Sequence, residues 1–348
     1  MRLVLALLLL ALLALPAAAQ EIDDAALARR ALDDHIRPGY AHLADAARGL
    51  EAATRAACEA PGPIDVAPVR AAYDATFDAW ARIGHIRFGP GEENGTVFGI
   101  EFWPDTKGST PRSLAALVAD ENPAVDDPAA FAGQSVAARG LMAIDQLVFD
   151  PDATPIEGGT YPCRLLVAIT TDLAATADRL VARWDDPWAG ILTTAGDPGN
   201  PVYFTPDEAT KALYSALTEG LQMDIDLRLG RPLGTWDKPQ PRRAEAWRSG
   251  RSLPNVVAST EGMRAFVETV FVPAIGDDEA RPVLAAFDAA LAAAGRVTAP
   301  IDVEVATPQG RIHVEALQVA LRHVQEEVAS HVGPTLGVAS GFNSMDGD

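Results

Sequence analysis

The sequence predicts an all-α protein made of two helical bundles. Apolar residues recur at steps of four and three positions, as on the packed face of a bundle helix; they are Ile36, Tyr40, Leu43, Ala47 and Leu50. Strand signals are scarce, since the only β-branched run, residues 298–307, is interrupted by Pro300. Roughly four main helices are expected before residue 186, enough for an up-and-down bundle, and the same plan follows residue 206.

Residues 1–19 have the pattern of a cleaved secretory signal peptide. Arg2 precedes an apolar run from Leu3 to Leu15, and the alanines at 17–19 supply small residues for cleavage. The run is too short to span a bilayer comfortably. The sequence therefore predicts a periplasmic protein that does not insert into the membrane.

The mature chain is expected to contain two bundle domains. The N-terminal bundle is predicted over residues 20–186 and the C-terminal bundle over 206–348, which ends in GFNSMDGD. A linker or crossover rich in proline and glycine, 187–205, separates them. The segments Arg112-Ser113-Leu114 and Arg251-Ser252-Leu253 are similar, which favours an origin by duplication. The individual helices are predicted at 22–58, 64–83, 111–119, 135–149, 163–184, 206–229, 241–249, 254–271, 278–295 and 308–331.

The helix predicted over 135–149 organises the first bundle. Val136, Gly140, Ile144 and Leu147 recur at helical spacing, and small residues on this face allow a neighbouring helix to approach closely. Asp150 precedes a proline, which ends the helix.

Composition limits the partners and the redox state. The formal net charge of −20 argues against nucleic acid or an anionic membrane as a partner. The two cysteines, Cys58 and Cys163, fit one disulfide in an oxidising compartment, with two free buried thiols as the alternative.

A loop of charged and aromatic residues follows the second predicted helix, at 84–94. It contains His85 and Arg87 together with Glu92 and Glu93. Loops of this composition are often functional. The alternative is a structural loop in which Arg87 pairs with a nearby glutamate.

Four stretches together resemble the imelysin-like family. They are the motif helix segment Gly140-Leu141-Met142-Ala143-Ile144-Asp145, then Phe102-Trp103-Pro104-Asp105, then Ala246-Trp247-Arg248-Ser249-Gly250-Arg251-Ser252, and the terminus from Leu336 to Asp348. These stretches extend over most of the mature chain. The resemblance implies a two-domain helical protein, exported by bacteria and associated with iron uptake; some members are labelled metallopeptidases.

The chain departs from the family at the two residues that carry its chemistry. The family motif is Gly-x-His-x-x-Glu, but Met142 stands at the His position and Asp145 at the Glu position. Residues three apart share a helix face, so His and Glu at this spacing can hold a metal together. A thioether is a poor ligand for ferric iron or zinc, although it suits Cu(I) or haem iron. The alternative is that Met142 fills the core and that Asp145 is hydrogen-bonded to a neighbouring loop.

If a site persists, its other ligands must come from elsewhere in the chain. For a metal, iron or another divalent ion, the candidates are Asp145 and His85. For a wider binding site we also expect Arg87, Met142, Arg248, Asn343 and Asp346. The arginines Arg87, Arg139 and Arg248 suit the carboxylates of a metal chelate or of another small anionic ligand.

Three functions follow from these observations. The first is a non-catalytic periplasmic binding protein of iron uptake, which holds a metal, a metal chelate or a small anion. The second is an envelope protein that docks to a partner and binds no ligand. The third is a metallopeptidase, which the altered motif disfavours because such an enzyme needs metal ligands and a carboxylate base.

Overall fold

The computed structural model describes residues 22–338, and this part of the chain is mainly helical. Its only strands are β1 (Gly62–Pro63) and β2 (Glu157–Gly158), which pair antiparallel with Gly62 opposite Gly158. The all-α prediction is confirmed.

The sequence favours a kink or break at Pro38-Gly39, but the irregularity in the first long helical region lies just before these residues. A π-helical turn at Ala31–Ile36 separates α1 from α2, whereas Pro38 lies in the first turn of α2. The π-helical turn just before Pro38 accommodates the proline, whose missing N–H and ring would disrupt an uninterrupted α-helix. The first three helices are α1 (Asp24–Arg30), α2 (Arg37–Cys58) and α3 (Ala67–Ile83).

The sequence favours a short extended piece at 97–103, but residues 97–100 of this segment are helical. It forms α4 and becomes extended only after Ile100, where Glu101 has β-region backbone angles. The rest of this region comprises α4 (Thr96–Ile100), α5 (Ser109–Asp120), α6 (Pro128–Ala132), α7 (Gly140–Phe149), α8 (Tyr161–Asp185) and α9 (Trp188–Thr193).

The second half contains four long helical segments, and three of them continue into π-helical turns. These turns are Met223–Gly230, Val267–Phe271 and Val328–Val332. The helices are α10 (Pro206–Gln222), α11 (Arg231–Leu233), α12 (Ser252–Phe266), α13 (Val272–Ile275), α14 (Asp277–Ala294), α15 (Ile301–Glu304), α16 (Pro308–Glu327) and α17 (Gly333–Thr335).

The prediction of a helix at 241–249 is wrong. Only Pro241–Arg243 forms a single 3-10 turn, and the chain then continues as a loop up to α12. Ala246 has a φ of 43° and Gly250 a φ of 71°. These left-handed conformations are incompatible with a continuous right-handed helix.

The helices pack around one continuous cluster of buried apolar side chains. In the first half α2 packs against α3 and α8, and in the second half α14 packs against α16. Helix α3 also packs against α12, so the two halves are in direct contact. None of the described helices is both long and apolar enough to cross a membrane. The division into two domains remains a prediction.

The predicted disulfide is present. Cys58 at the end of α2 is bonded to Cys163 in the first turn of α8, with a Cα–Cα distance of 5.9 Å. The bond thus joins two adjacent helices of the first half.

Candidate functional site

The motif glycine fixes where α7 begins. Gly140 has a φ of +68°, and a Cβ placed on it would lie 2.3 Å from the backbone oxygen of Ile100. Only glycine fits this position, because the backbone is left-handed and the neighbouring chain leaves no room. The helix predicted from residue 135 therefore starts five residues later, after a 3-10 turn at Val136–Ala138.

Asp145 is fully buried and bonded to the loop before α12. Its Oδ1 accepts hydrogen bonds from the backbone N–H of Ser249 at 3.1 Å and from the hydroxyl of Tyr73 at 3.5 Å. The Arg248 Nη1 lies 3.8 Å from Oδ2. The alternative in which Asp145 is hydrogen-bonded to a neighbouring loop is confirmed.

Burial dominates the electrostatics of this carboxyl group. Desolvation raises the pKa of Asp145 to about 6, although Ser249, Arg248 and Tyr73 oppose the shift. Arg248 has its main partner elsewhere, since its Nε lies 2.6 Å from Asp150 Oδ2 and its guanidinium stacks over the ring of Trp247 at 4.5 Å. Arg248 therefore holds the loop against the C-terminal end of α7.

Met142 faces a cavity of about 180 Å³, which we call the Met142 cavity. Its wall is formed by residues 102–105, 108, 110 and 111 of the first half, by Met142 and Gln146 of α7, and by Arg231, Arg242, Arg243, Ala244, Trp247 and Arg248 of the second half. Asp145 is not among the lining residues. The motif pair is thus divided: one side chain faces the cavity and the other faces the loop.

The residues around the motif do not fit a hard metal ion. Asp145 offers one carboxylate of raised pKa with a guanidinium beside it, and the neighbouring position offers a thioether. A guanidinium so close to the single carboxylate repels a cation. Within residues 22–338 no group of three His, Cys, Asp or Glu side chains is arranged to hold a metal.

The structure places His85 and Arg87 away from Asp145. They line a second cavity of about 190 Å³, which we call the His85 cavity, together with Gly220 and Met223. Among the described contacts none joins His85 to Asp145, so the predicted metal pair does not assemble here.

His85 is instead packed against another imidazole. Its Nε2 lies 3.2 Å from Nε2 of His35, and both rings pack against Phe266. Burial lowers the pKa of His35 to about 4 and the pKa of His85 well below its usual value. Both rings are therefore neutral at pH 7.

The arginines predicted to bind an anion are used internally. Arg87 donates to the backbone oxygen of Gly84 at 3.1 Å and lies over the Trp80 ring. Arg139 Nε lies 2.7 Å from Asp172 Oδ2. Asn343 and Asp346, the two terminal candidates, lie outside the described residues.

Sequence reasoning missed the arginines that do face the Met142 cavity: Arg231, Arg242 and Arg243. The signal available was the adjacent pair of arginines at 242 and 243 in a strongly acidic chain.

Sequence reasoning also missed a buried ionic cluster between the two halves. Arg228 binds Asp224 through Nη1 at 2.7 Å and Glu245 through Nε at 2.9 Å. Glu101 accepts a hydrogen bond from Trp80 Nε1 at 2.6 Å. All these charged side chains are buried.

One carboxyl group of this cluster is protonated at pH 7. Burial and the neighbouring Glu245 raise the pKa of Glu101 to about 8, so Glu101 is the carboxyl group that holds a proton at pH 7. The contacts with Arg228 and with Glu101 keep the pKa of Glu245 below its usual value despite burial. The guanidinium of Arg228 already supplies the positive charge at the centre of this cluster. Because Glu101 belongs to the first half and Arg228 and Glu245 to the second, the cluster holds the two halves together.

Comparison with known proteins agrees with this fold. The chain is 24% identical over 321 residues to the iron-regulated protein A of Synechococcus elongatus, and the match covers 87% of this chain and 84% of that protein. The crystal structure of an imelysin-like protein from Psychrobacter arcticum matches with a TM-score of 0.78 at 18% identity, covering 92% of this chain and 97% of that one.

A second solved structure is similar to a lesser degree. It is a putative iron-regulated protein A precursor from Parabacteroides distasonis, with a TM-score of 0.67 at 12% identity, and it covers 90% of this chain and 97% of that one. The model of the imelysin family, also described as peptidase M75, matches residues 36–328. This match extends over most of the sequence, and the chain therefore belongs to the imelysin family.

Proposed function

We propose that this chain is an exported, iron-linked binding protein that holds a small ligand in the Met142 cavity and hydrolyses nothing. The observation that carries the proposal is the division of the motif: Met142 lines the cavity, whereas Asp145 is bonded to Ser249 behind it. A metal-dependent hydrolase needs its ligands and a general base around one point. A binding site needs only a shaped cavity with a few polar groups.

The position of the cavity supports binding. Its wall takes residues from both halves of the chain, and sites between packed units are common places for small ligands. Its volume of about 180 Å³ is below the roughly 300–1,000 Å³ of sites for drug-sized molecules. The ligand is therefore small, or it is one group of a larger chelate.

The iron link and the export rest on sequence. The relative from Synechococcus elongatus is described as iron-regulated protein A, and the protein from Parabacteroides distasonis as a putative iron-regulated protein A precursor. Residues 1–19 have the pattern of a signal peptide for export to the periplasm. Recovery of the processed chain from the periplasmic fraction, beginning after residue 19, would support export; an unprocessed chain in the cytoplasm would contradict it.

Ligand binding is tested with a variant in which a larger side chain fills the Met142 cavity and the His85 cavity is left unchanged. Thermal melting of the mature protein is measured with Fe(III), Zn(II), glucose, spermidine, phosphate, citrate and ferric citrate. A ligand present at one hundred times its Kd stabilises the native state by about 2.7 kcal/mol, which shifts the melting temperature by several degrees. Met142→Trp should abolish the shift because the larger ring fills the cavity.

Met223→Trp is the matched control, since Met223 is a half-buried methionine that lines the His85 cavity. It should leave the shift intact. The proposal is overturned if no compound shifts the melting temperature, or if the shift survives Met142→Trp and is lost with Met223→Trp. Cleavage of casein that a chelator abolishes would contradict the absence of hydrolysis.

A further inference from the structure

We propose that the Met142 cavity is an anion site and that its ligand is a small organic molecule with at least two carboxylates. The inference rests on the proposed function, because it names the chemistry of the ligand that the same cavity binds.

Three arginines in the cavity wall have no carboxylate partner. Within residues 22–338, no aspartate or glutamate oxygen lies within 4.0 Å of the guanidinium of Arg231, Arg242 or Arg243, although 21 other pairs between arginine or lysine and a carboxylate are present. Other arginines of the described residues, such as Arg29 and Arg322, also have no carboxylate partner, so the relevant observation is that three such arginines lie in one cavity of a chain with a net charge of −20. Three of them in one cavity form a local positive field in an acidic protein.

Of the three arginines, Arg231 gives the strongest evidence for an anionic ligand. It is half-buried, and its Nε is buried without a hydrogen-bond partner among the described residues. Desolvation and the nearby Arg243 lower its pKa. A buried donor left unsatisfied costs free energy, and an anionic ligand would remove that cost.

The other polar groups of the wall do not cancel this field. Asp105 is the only acidic residue of the lining, and its carboxylate already accepts from the backbone N–H groups of Ser109 at 2.8 Å and Thr110 at 2.7 Å. Although burial opposes the change, these hydrogen bonds lower the pKa of Asp105. The fourth arginine of the wall, Arg248, is paired with Asp150.

The apolar part of the wall selects an organic anion. Trp103, Trp247 and Met142 line the same space as the arginines. The guanidinium carbon of Arg242 also lies 5.4 Å from the centre of the Trp247 ring. Guanidinium groups bind carboxylates through paired N–H donors, and the aromatic and thioether groups then contact the carbon skeleton. Inorganic phosphate has no carbon skeleton that could contact this apolar part of the wall.

The test uses citrate as the probe in isothermal titration calorimetry of the mature protein. Arg242→Gln/Arg243→Gln should weaken citrate binding by about tenfold or more, because each change removes a charge-assisted hydrogen bond. Both side chains are exposed, so this variant should fold as the wild type does. Adding Arg231→Gln should weaken binding further. Binding should also fall as NaCl is raised, since salt screens the attraction.

Arg29→Gln/Arg322→Gln is the matched control. It removes the same charge from two exposed arginines outside the cavity wall and should change citrate affinity by less than about twofold. The anion site is overturned if citrate does not bind, or if the cavity variant and the control bind it equally well. If phosphate binds as tightly as citrate, the proposal that the ligand is an organic carboxylate is overturned.

Failure of this inference can be told apart from failure of the proposed function. If glucose or spermidine shifts the melting temperature of the wild type but not of Met142→Trp, the cavity binds a ligand that is not an anion. If no compound depends on Met142, both proposals fail.

Discussion

Asp145→Asn should make the protein less sensitive to pH between about 4 and 7. The folded protein holds this carboxyl group with a pKa of about 6, whereas its ordinary value is 3.8. In this range the folded state binds more protons at Asp145 than the unfolded state does. Stability therefore falls as pH rises through the window, and Asn removes that contribution.

The magnitude follows from the two pKa values. A difference of about 2 units at about 1.36 kcal/mol per unit gives a cost of about 3 kcal/mol for ionising Asp145 at pH 7. Asn keeps the oxygen that accepts from Ser249 and Tyr73. The variant should thus match the wild type near pH 4 and exceed its unfolding free energy at pH 7 by up to about 3 kcal/mol.

The assay is urea denaturation of both proteins from pH 4 to pH 8, read as the difference between variant and wild type. Asp150→Asn is the control because Asp150 binds the same Arg248 at 2.6 Å but has a lowered pKa, owing to hydrogen bonds from Arg248 and from the Asp152 backbone that outweigh burial. A lowered pKa contributes stability that is lost on acidification, so this variant should be less stable than the wild type at pH 7. An Asp145→Asn variant that is destabilised at pH 7 and recovers at pH 4 would refute the account of Asp145 as a buried structural carboxyl.

Three further outcomes are expected from chemical denaturation and thermal melting. Gly140→Ala should lower the free energy of unfolding by about 3 kcal/mol, since the backbone is left-handed and the new Cβ would lie 2.3 Å from a backbone oxygen. Unchanged stability would contradict the account of the motif glycine. At pH 7 Glu101→Gln should lower the free energy of unfolding by less than about 1 kcal/mol, because Glu101 is already protonated. Glu245→Gln removes a counter-ion from a buried guanidinium and should lower it by about 3 kcal/mol. Equal losses would contradict that protonation state. Replacing both Cys58 and Cys163 by serine should lower stability by about 2–5 kcal/mol, and no loss would show that the bond does not constrain the chain.

The helices were predictable because their apolar periodicity is local. Steps of four and three between apolar residues predicted the helix that ends at Cys58, and the helices predicted at 163–184 and 308–331 agree with α8 and α16 to within a few residues. The π-helical turns were not predictable, since their backbone angles and side-chain pattern barely differ from those of an α-helix.

The failure at 241–249 has a specific cause. Residues such as Ala246 and Trp247 are acceptable helix formers, and nothing local reveals that Ala246 adopts a φ of 43°. That conformation brings the Ser249 N–H to Asp145, a partner 104 positions away in the sequence. Tertiary contacts of this kind override local propensity.

The candidate site was predictable only in part. The residues of the motif and Arg248 were identified from the resemblance, and the structure brings Met142 and Arg248 to one cavity. His85 and Arg87 could not be excluded from sequence, because a loop of charged residues gives no information on which neighbours it faces. Their burial against His35 and Trp80 depends on long-range packing.

The most direct measurement follows the methionine methyl groups by NMR in protein labelled with 13C-methyl methionine. Met142 lines one cavity, Met223 lines the other, and Met263 is fully buried in α12. Their signals are assigned with single Met→Leu variants, and citrate is then titrated into the labelled protein. We expect the Met142 methyl signal to shift in a saturable way while the Met223 and Met263 signals stay in place. A shift confined to Met223, or no shift at Met142 at saturating citrate, would contradict the central claim that the ligand binds where the altered motif faces the arginines.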